Sequence, residues 1–182
     1  MFEDAPRPDA AETVARLRRL GLSVEILSGD LEGPVGEIAA SVGVDAWRAG
    51  LTPLDKAALI DALKAQGRKA LMVGDGLNDA AALAKAHASM APGAAVDAAQ
   101  NAADLVFTGE RLEVVVETIE TAREARRRAL ENFGFSALYN LVAAPAAMAG
   151  LINPFIAALA MSGSSIAVLL NAARPTLRGR TR

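Results

Sequence analysis

Lys69-Ala70-Leu71-Met72-Val73-Gly74-Asp75-Gly76-Leu77-Asn78-Asp79 is the stretch whose reading decides the fold. Lys69–Val73 is short, mainly apolar and closed by glycine, the pattern of a buried β-strand. The residues after it mix glycine with oxygen-bearing side chains, and Ala80–Ala86 reads as a helix. Strand, polar glycine turn and helix together suggest a parallel α/β unit, in which ligands gather at the carboxyl ends of strands. Glycine lets a backbone approach a phosphate closely, and a helix N-terminus favours negative charge. Two carboxylates and an amide in one turn suit a hard cation such as Mg2+, which takes oxygen ligands. Alone, an Asp/Gly-rich turn is as often nothing more than a turn.

The flanking segments extend the pattern. Asp9 and Glu12 form a capping-box spacing before the amphipathic run Thr13–Leu20, and Gly21 ends it. Leu22–Leu27 reads as a strand stopping at Ser28-Gly29-Asp30, Pro34–Val42 as a helix, and Thr52–Gly67 as another with proline in its first turn. Beyond the central stretch come a strand at Ala88–Met90, a helix at Ala94–Ala102, a strand at Leu105–Phe107 and a helix at Glu110–Glu131. This alternation predicts an α/β class with one parallel, doubly wound sheet. At the predicted strand ends, Ser28 offers a hydroxyl and Gly29 an unobstructed N–H for phosphoryl oxygens. Lys56 suits the charge that develops on a transferring phosphoryl group, although alone it reads as a solvated helix lysine.

Charge divides the chain of 182 residues. Residues 1–122 hold 19 acidic and 11 basic side chains, whereas residues 123–182 hold 2 and 8. Two environments follow from that split. The acidic excess of the first part offers no footprint for nucleic acid. With no cysteine there is neither a disulfide nor a thiolate metal site. Residues 1–8 lack the apolar core of a signal peptide. His87, the sole histidine, reads as a helix-end or packing residue and Trp47 as core or edge packing.

Residues 132–173 contain no charged side chain. Such a stretch predicts a two-helix transmembrane hairpin, roughly 133–152 and 155–173, turning at Asn153-Pro154. Arg123, Arg126, Arg127 and Arg128 precede it and Arg174, Arg178, Arg180 and Arg182 follow it, which places both ends on the cytoplasmic side. The domains expected are thus a phosphoryl-transfer part over 1–122, a basic helical linker over 123–132, the hairpin over 133–173 and a basic tail over 174–182. Small residues four apart, Ala143 with Ala147 and Ala146 with Gly150, favour close helix packing.

In order, Ser28-Gly29-Asp30, Pro53-x-x-Lys56 and Gly74-Asp-Gly-x-Asn-Asp79 resemble the later motifs of the haloacid-dehalogenase superfamily as they occur in P-type ATPases. The resemblance runs from about Phe2 to Pro175. It implies that Asp75 coordinates Mg2+, that Asn78 and Asp79 support the phosphoryl site, that Ser28 and Gly29 bind the phosphoryl group, and that Lys56 stabilises its charge. Position 28 is usually threonine in this family, and serine keeps the hydroxyl. Tyr139-Asn140 with Met161-x-x-Ser164-Ser165 is similar to the last two helices of copper-transporting, heavy-metal P-type ATPases. A thioether is a soft ligand suited to Cu(I), and no carboxylate lies in these spans. Each residue alone reads as membrane packing, and only their combination points to copper. The stretches 88–92 and 101–107 look most like the bacterial subtype that supplies copper to cbb3-type oxidases. The resemblance thus implies ATP-driven Cu(I) export across a bacterial inner membrane, with a nucleotide-binding domain, further membrane helices, lipid and a copper chaperone as partners.

The family's Asp-Lys-Thr-Gly-Thr segment, with its phosphorylated aspartate, is absent. Without that nucleophile, covalent phosphoryl transfer by this chain alone is not expected. A truncated gene, an incomplete reading frame and a split product all fit a start at Met1. Two rivals stay open at this level: a phosphatase-like protein of the same superfamily, and a non-catalytic fragment that pairs with an intact pump.

Overall fold

The computed structural model describes residues 6–75, 77–151 and 153–173. Two compact units divide at Thr118/Ile119. The first contains α1 (Ala10–Arg19), β1 (Glu25–Leu27), α2 (Glu32–Ser41), β2 (Ala46–Arg48), α3 (Pro53–Ala65), β3 (Leu71–Val73), a 3-10 turn (Leu77–Asp79), α4 (Ala80–Lys85), β4 (Ala88–Pro92), α5 (Asp97–Ala102) and β5 (Leu105–Phe107). The division falls within α6 (Glu113–Met148), and α7 (Pro154–Ala172) lies in the second unit.

All pairings are parallel, as expected, but the single sheet is two. β1 pairs with β2, setting Ile26 opposite Trp47, while β3, β4 and β5 form a second ladder with Met72 opposite Ser89 and Ala91 opposite Val106. No ladder joins β1 to β3. At their entering ends Arg68 Nη2 reaches Ser23 Oγ at 3.3 Å, a side-chain bridge where backbone pairing is missing. The extra strand β2 is exposed along its length and carries no apolar alternation, which is why its sequence gives no strand signal. Trp47 lies against α2 at Gly36, where an added Cβ would come within 3.3 Å of its ring.

Small side chains build the core. Leu83, Ala91, Ala95 and Ala99 pack with Met72 on one side. Ala10, Val42 and Val44 pack with Val14, Ile26 and Leu112 on the other. α3 begins on a reciprocal cap: Asp55 N–H donates to Thr52 Oγ1 (3.2 Å), and Thr52 N–H donates to Asp55 Oδ2 (2.9 Å). The Thr52 hydroxyl and amide hold the Asp55 carboxyl below its ordinary range.

Asp9 departs from expectation. It sits at the N-cap of α1 but makes no side-chain cap there, so the Asp9/Glu12 box does not form. Instead Asp9 Oδ2 accepts the Glu113 N–H at 2.8 Å and caps the first turn of α6, 104 positions away. Arg16 and Arg111 both pair with Glu113 beside it. Burial raises the Asp9 carboxyl, yet the Glu113 and Leu112 amides and Arg111 outweigh it and leave the group below its ordinary value.

The second unit gives the expected transmembrane hairpin no support. Among the described residues no helix is long and apolar enough to cross a membrane. α6 carries charge as far as Glu131 and stops at Met148, so its apolar part from residue 133 rises only about 24 Å, short of the ~30 Å hydrocarbon core. Ser162-Gly163-Ser164-Ser165 lies in the middle of the continuous helix α7 and lowers its apolar content. The basic tail 174–182 lies outside the described residues, as does Ile152.

Asp9→Ala should cost about 1 kcal/mol, read as a lower urea midpoint followed by circular dichroism. The native Asp9 carboxyl is lowered, so its contribution is complete above its unfolded value near 4 and disappears as pH falls through the native value. Below about pH 4 the variant's stability should therefore fall less steeply than the parent's.

Candidate active site

The site grows from the tip of β3. Gly74 N–H donates to the Met90 carbonyl at 3.2 Å, and a Cβ at Gly74 would stand 2.8 Å from Asp79 Cβ and 2.9 Å from its Oδ2. Only glycine fits, and its bareness lets Asp79 close over the strand end. Asp79 Oδ1 accepts a bond from Lys56 Nζ at 2.7 Å. Both residues are buried, Lys56 at 6% exposure and Asp79 at 9%. Lys56 is thus no solvated surface lysine. A buried pair of this kind matters less for net stability than for what its loss would leave behind, an uncompensated charge.

The tip of β1 is tied to the same feature through α3. Ser28 Oγ donates to Asp30 Oδ2 (3.2 Å) and accepts the Asp30 N–H (3.1 Å), closing a tight polar turn. Leu51 N–H donates to the Ser28 carbonyl (2.9 Å), and Gly50 N–H to that of Asp30 (2.8 Å). A Cβ at Gly29 would crowd the Leu51 carbonyl at 3.2 Å. Residues 50–52 lead directly into the first turn of α3, which carries Lys56. Ser28, Gly29, Lys56 and Asp79 are therefore linked by one run of contacts. Asp75 and Asn78 lie alongside with exposed side chains.

A third strand-end loop joins them, one the motifs did not single out. The Asp75 carbonyl accepts Val96 N–H at 3.3 Å, and Gln100 Nε2 pins that loop by donating to the Gly93 (3.1 Å) and Ala95 (2.7 Å) carbonyls. Pro92-Gly93 at the end of β4 was the available signal. Ser89 and Asp104 lock β4 to the entry of β5, the Ser89 hydroxyl both donating to Asp104 Oδ2 and accepting its N–H. His87 follows the end of α4, its N–H donating to the Ala70 carbonyl, as a helix-end residue.

Mg2+ fits these residues only in part. Among the described residues no three His, Cys, Asp or Glu side chains converge. Asp79 is turned to Lys56, which leaves Asp75 as the open carboxylate of the turn. Among the described residues, these side chains do not by themselves complete a magnesium site.

In the second unit Tyr139 and Ser164 are half-buried, whereas Asn140, Met161 (67% exposed) and Ser165 are exposed. The Ser165 hydroxyl donates to the Met161 carbonyl of its own helix at 3.1 Å. Of the small residues, Ala143 and Ala146 are half-buried, and Ala147 and Gly150 are exposed.

The paired strand-end loops and the Lys56–Asp79 lock define a haloacid dehalogenase-like hydrolase unit, and the model of that family matches residues 1–87. The chain belongs to the P-type ATPases, in their heavy-metal branch. It is 48% identical over 168 residues to the nitrogen fixation protein FixI of Bradyrhizobium diazoefficiens, covering 92% of this chain and 23% of that protein. It is 40% identical to the probable copper-exporting P-type ATPase V of Mycobacterium tuberculosis, covering 97% and 23%. A zinc-transporting PIB-type ATPase crystallised in the E2.Pi state is similar with a TM-score of 0.89 and 33% identity, covering 94% of this chain and 28% of that one. The chain spans less than a quarter of the length of the curated relatives it matches.

Gly74→Ala should push Asp79 off Lys56 and destabilise the first unit by about 1–3 kcal/mol, seen as a lower thermal midpoint. An unchanged midpoint would mean that Asp79 has room to move.

Proposed function

We propose that the chain is the rear part of the phosphoryl-transfer domain of an ATP-driven Cu(I) exporter. The observation that carries this reading is the buried Lys56–Asp79 pair behind Gly74, tied through Leu51 to the Ser28-Gly29 turn. Such an arrangement gathers a hydroxyl, a backbone amide and a fixed cation at strand tips, the groups that a transferring phosphoryl group needs. Ser28 and Gly29 receive its oxygens. Lys56 supplies positive charge from a place that Asp79 holds rigid, with Asn78 beside them, and Asp75 offers its exposed carboxylate toward Mg2+.

The nucleophile comes from elsewhere in the pump. β1 and β3 each pair on one side only, yet Ser23–Arg68 bridges their entering ends and the 50–56 segment bridges their exits. A further parallel strand between them, from the segment with Asp-Lys-Thr-Gly-Thr, would join the two ladders and bring its aspartate to the strand tips. Such insertion satisfies the backbone groups that two unpaired edges leave open. The other partners in this reading are the nucleotide-binding domain with ATP, the remaining membrane helices and a copper chaperone.

α6 beyond Glu131 and α7 belong, in this reading, to a membrane-embedded ion path in the bacterial inner membrane, with both ends cytoplasmic. Support comes from their surface: Phe133, Phe135, Leu138, Leu141, Met148 and Leu159 are exposed in an uncharged stretch, an apolar face that demands lipid or neighbouring helices. Helices this short require such neighbours to sit in a bilayer. Tyr139, Asn140, Met161, Ser164 and Ser165 line the path, the Met161 thioether favouring a soft monovalent ion.

Labelled ATP tests the reading. The chain alone should give no acid-stable phosphoenzyme, whereas a pump with the upstream segment restored should label, and Lys56→Ala should lower that labelling about 100-fold. Met161→Leu should sharply reduce Cu(I)-stimulated turnover with labelling intact. Strong labelling of the isolated chain, or undiminished Cu(I) stimulation, would overturn the corresponding half.

A further inference from the structure

We infer that the Asn132–Asn171 hydrogen bond is a register pin that sets Tyr139 opposite Ser164. Asn171 Nδ2 donates to Asn132 Oδ1 at 2.7 Å, bridging α6 and α7 across 39 positions. From Asn132 to the end of α6 at Met148 is nearly as far as from the start of α7 at Pro154 to Asn171, so the two helices run antiparallel and side by side. Half-buried positions then mark the facing stripes. On α6 they include Asn132, Ser136 and Tyr139, and on α7 Ser164, Val168 and Asn171, each stripe stepping by four and three among exposed neighbours. That is the spacing of a helix–helix seam.

Counting from the bond fixes the levels. Tyr139 stands seven residues along α6 from Asn132, and Ser164 stands seven residues back along α7 from Asn171. Both therefore lie about 10.5 Å from the Asn pair, at one height on facing stripes. A slip by one helical turn would instead set Tyr139 against Val168 and leave both asparagine amides without each other. The rest of the seam is small or apolar, Ser136, Ala143, Ala146 and Val168 being tolerant of sliding. Register must come from the polar pair, the role that a buried asparagine fills in helical bundles. As positioning residues, Asn132 and Asn171 act on the ion path through the Tyr139–Ser164 level, and this consequence rests on the path proposed above.

The chain has no cysteine, so introduced pairs report the register directly. In lipid vesicles, Tyr139→Cys with Ser164→Cys, and separately Ser136→Cys with Val168→Cys, should form disulfides under mild oxidation. Adding Asn132→Leu should lower both yields about fivefold, the worth of one interhelical hydrogen bond, while Tyr139→Cys with Val168→Cys gains. Asn132→Gln should restore the original pattern, and far-ultraviolet circular dichroism should show the same helix content throughout. Yields unchanged by Asn132→Leu, or no cross-link in either parent pair, would overturn the pin. A shifted cross-link pattern with undiminished Cu(I) stimulation in the restored pump would leave the pin standing and count against the path.

Discussion

The α/β unit depends on one ion pair. Lys56 stands in the first turn of α3 and Asp79 at the end of the turn after β3, and their 2.7 Å contact is buried. Neither β1 nor β3 pairs with the other, so side chains do what a shared ladder would do in a complete sheet. Removing either partner strands a charge in a low-dielectric pocket, a larger penalty than the pair's own net contribution. Glycine at position 74 is the steric condition for this contact, and the Thr52/Asp55 cap is the local one, because it fixes where α3 starts. The polar turn at Ser28 inherits its place from the same helix through Leu51.

Much of this was legible in the residues. Gly74-Asp75-Gly76-Leu77-Asn78-Asp79 announces a strand end and a helix start, and Thr52-Pro53 announces α3, because turns and caps are local chemistry. The partner of Lys56 was not legible, since nothing in a sequence states that positions 56 and 79 meet. Asp9 shows the same limit: its spacing to Glu12 fits a local cap, but its carboxylate goes to the Glu113 N–H at the N-terminus of α6, with Arg111 beside it. β2 escaped notice because its three exposed residues carry no alternation, and its strand character comes only from the ladder with β1.

The helical unit teaches a different lesson. Absence of charge over 132–173 announced apolar surroundings, and the exposed phenylalanines and leucines agree with that. Length could not be read so simply. α6 ends at Met148 rather than running to Ile152, and α7 spends its middle on serine and glycine. Helices of that kind need neighbours, and the half-buried polar stripe around the Asn132–Asn171 bond shows one helix already committed to the other. The chemistry of the seam, amide and hydroxyl rather than leucine, trades packing strength for a defined register.

A double-mutant cycle on Lys56→Met and Asp79→Leu, followed by chemical unfolding of the chain, tests the central interaction most directly. Each single variant should lose about 3–5 kcal/mol, while the double variant should lose much less than their sum, because it leaves no buried charge behind. Additive losses would show that the two side chains act independently and that something else holds α3 against the tip of β3.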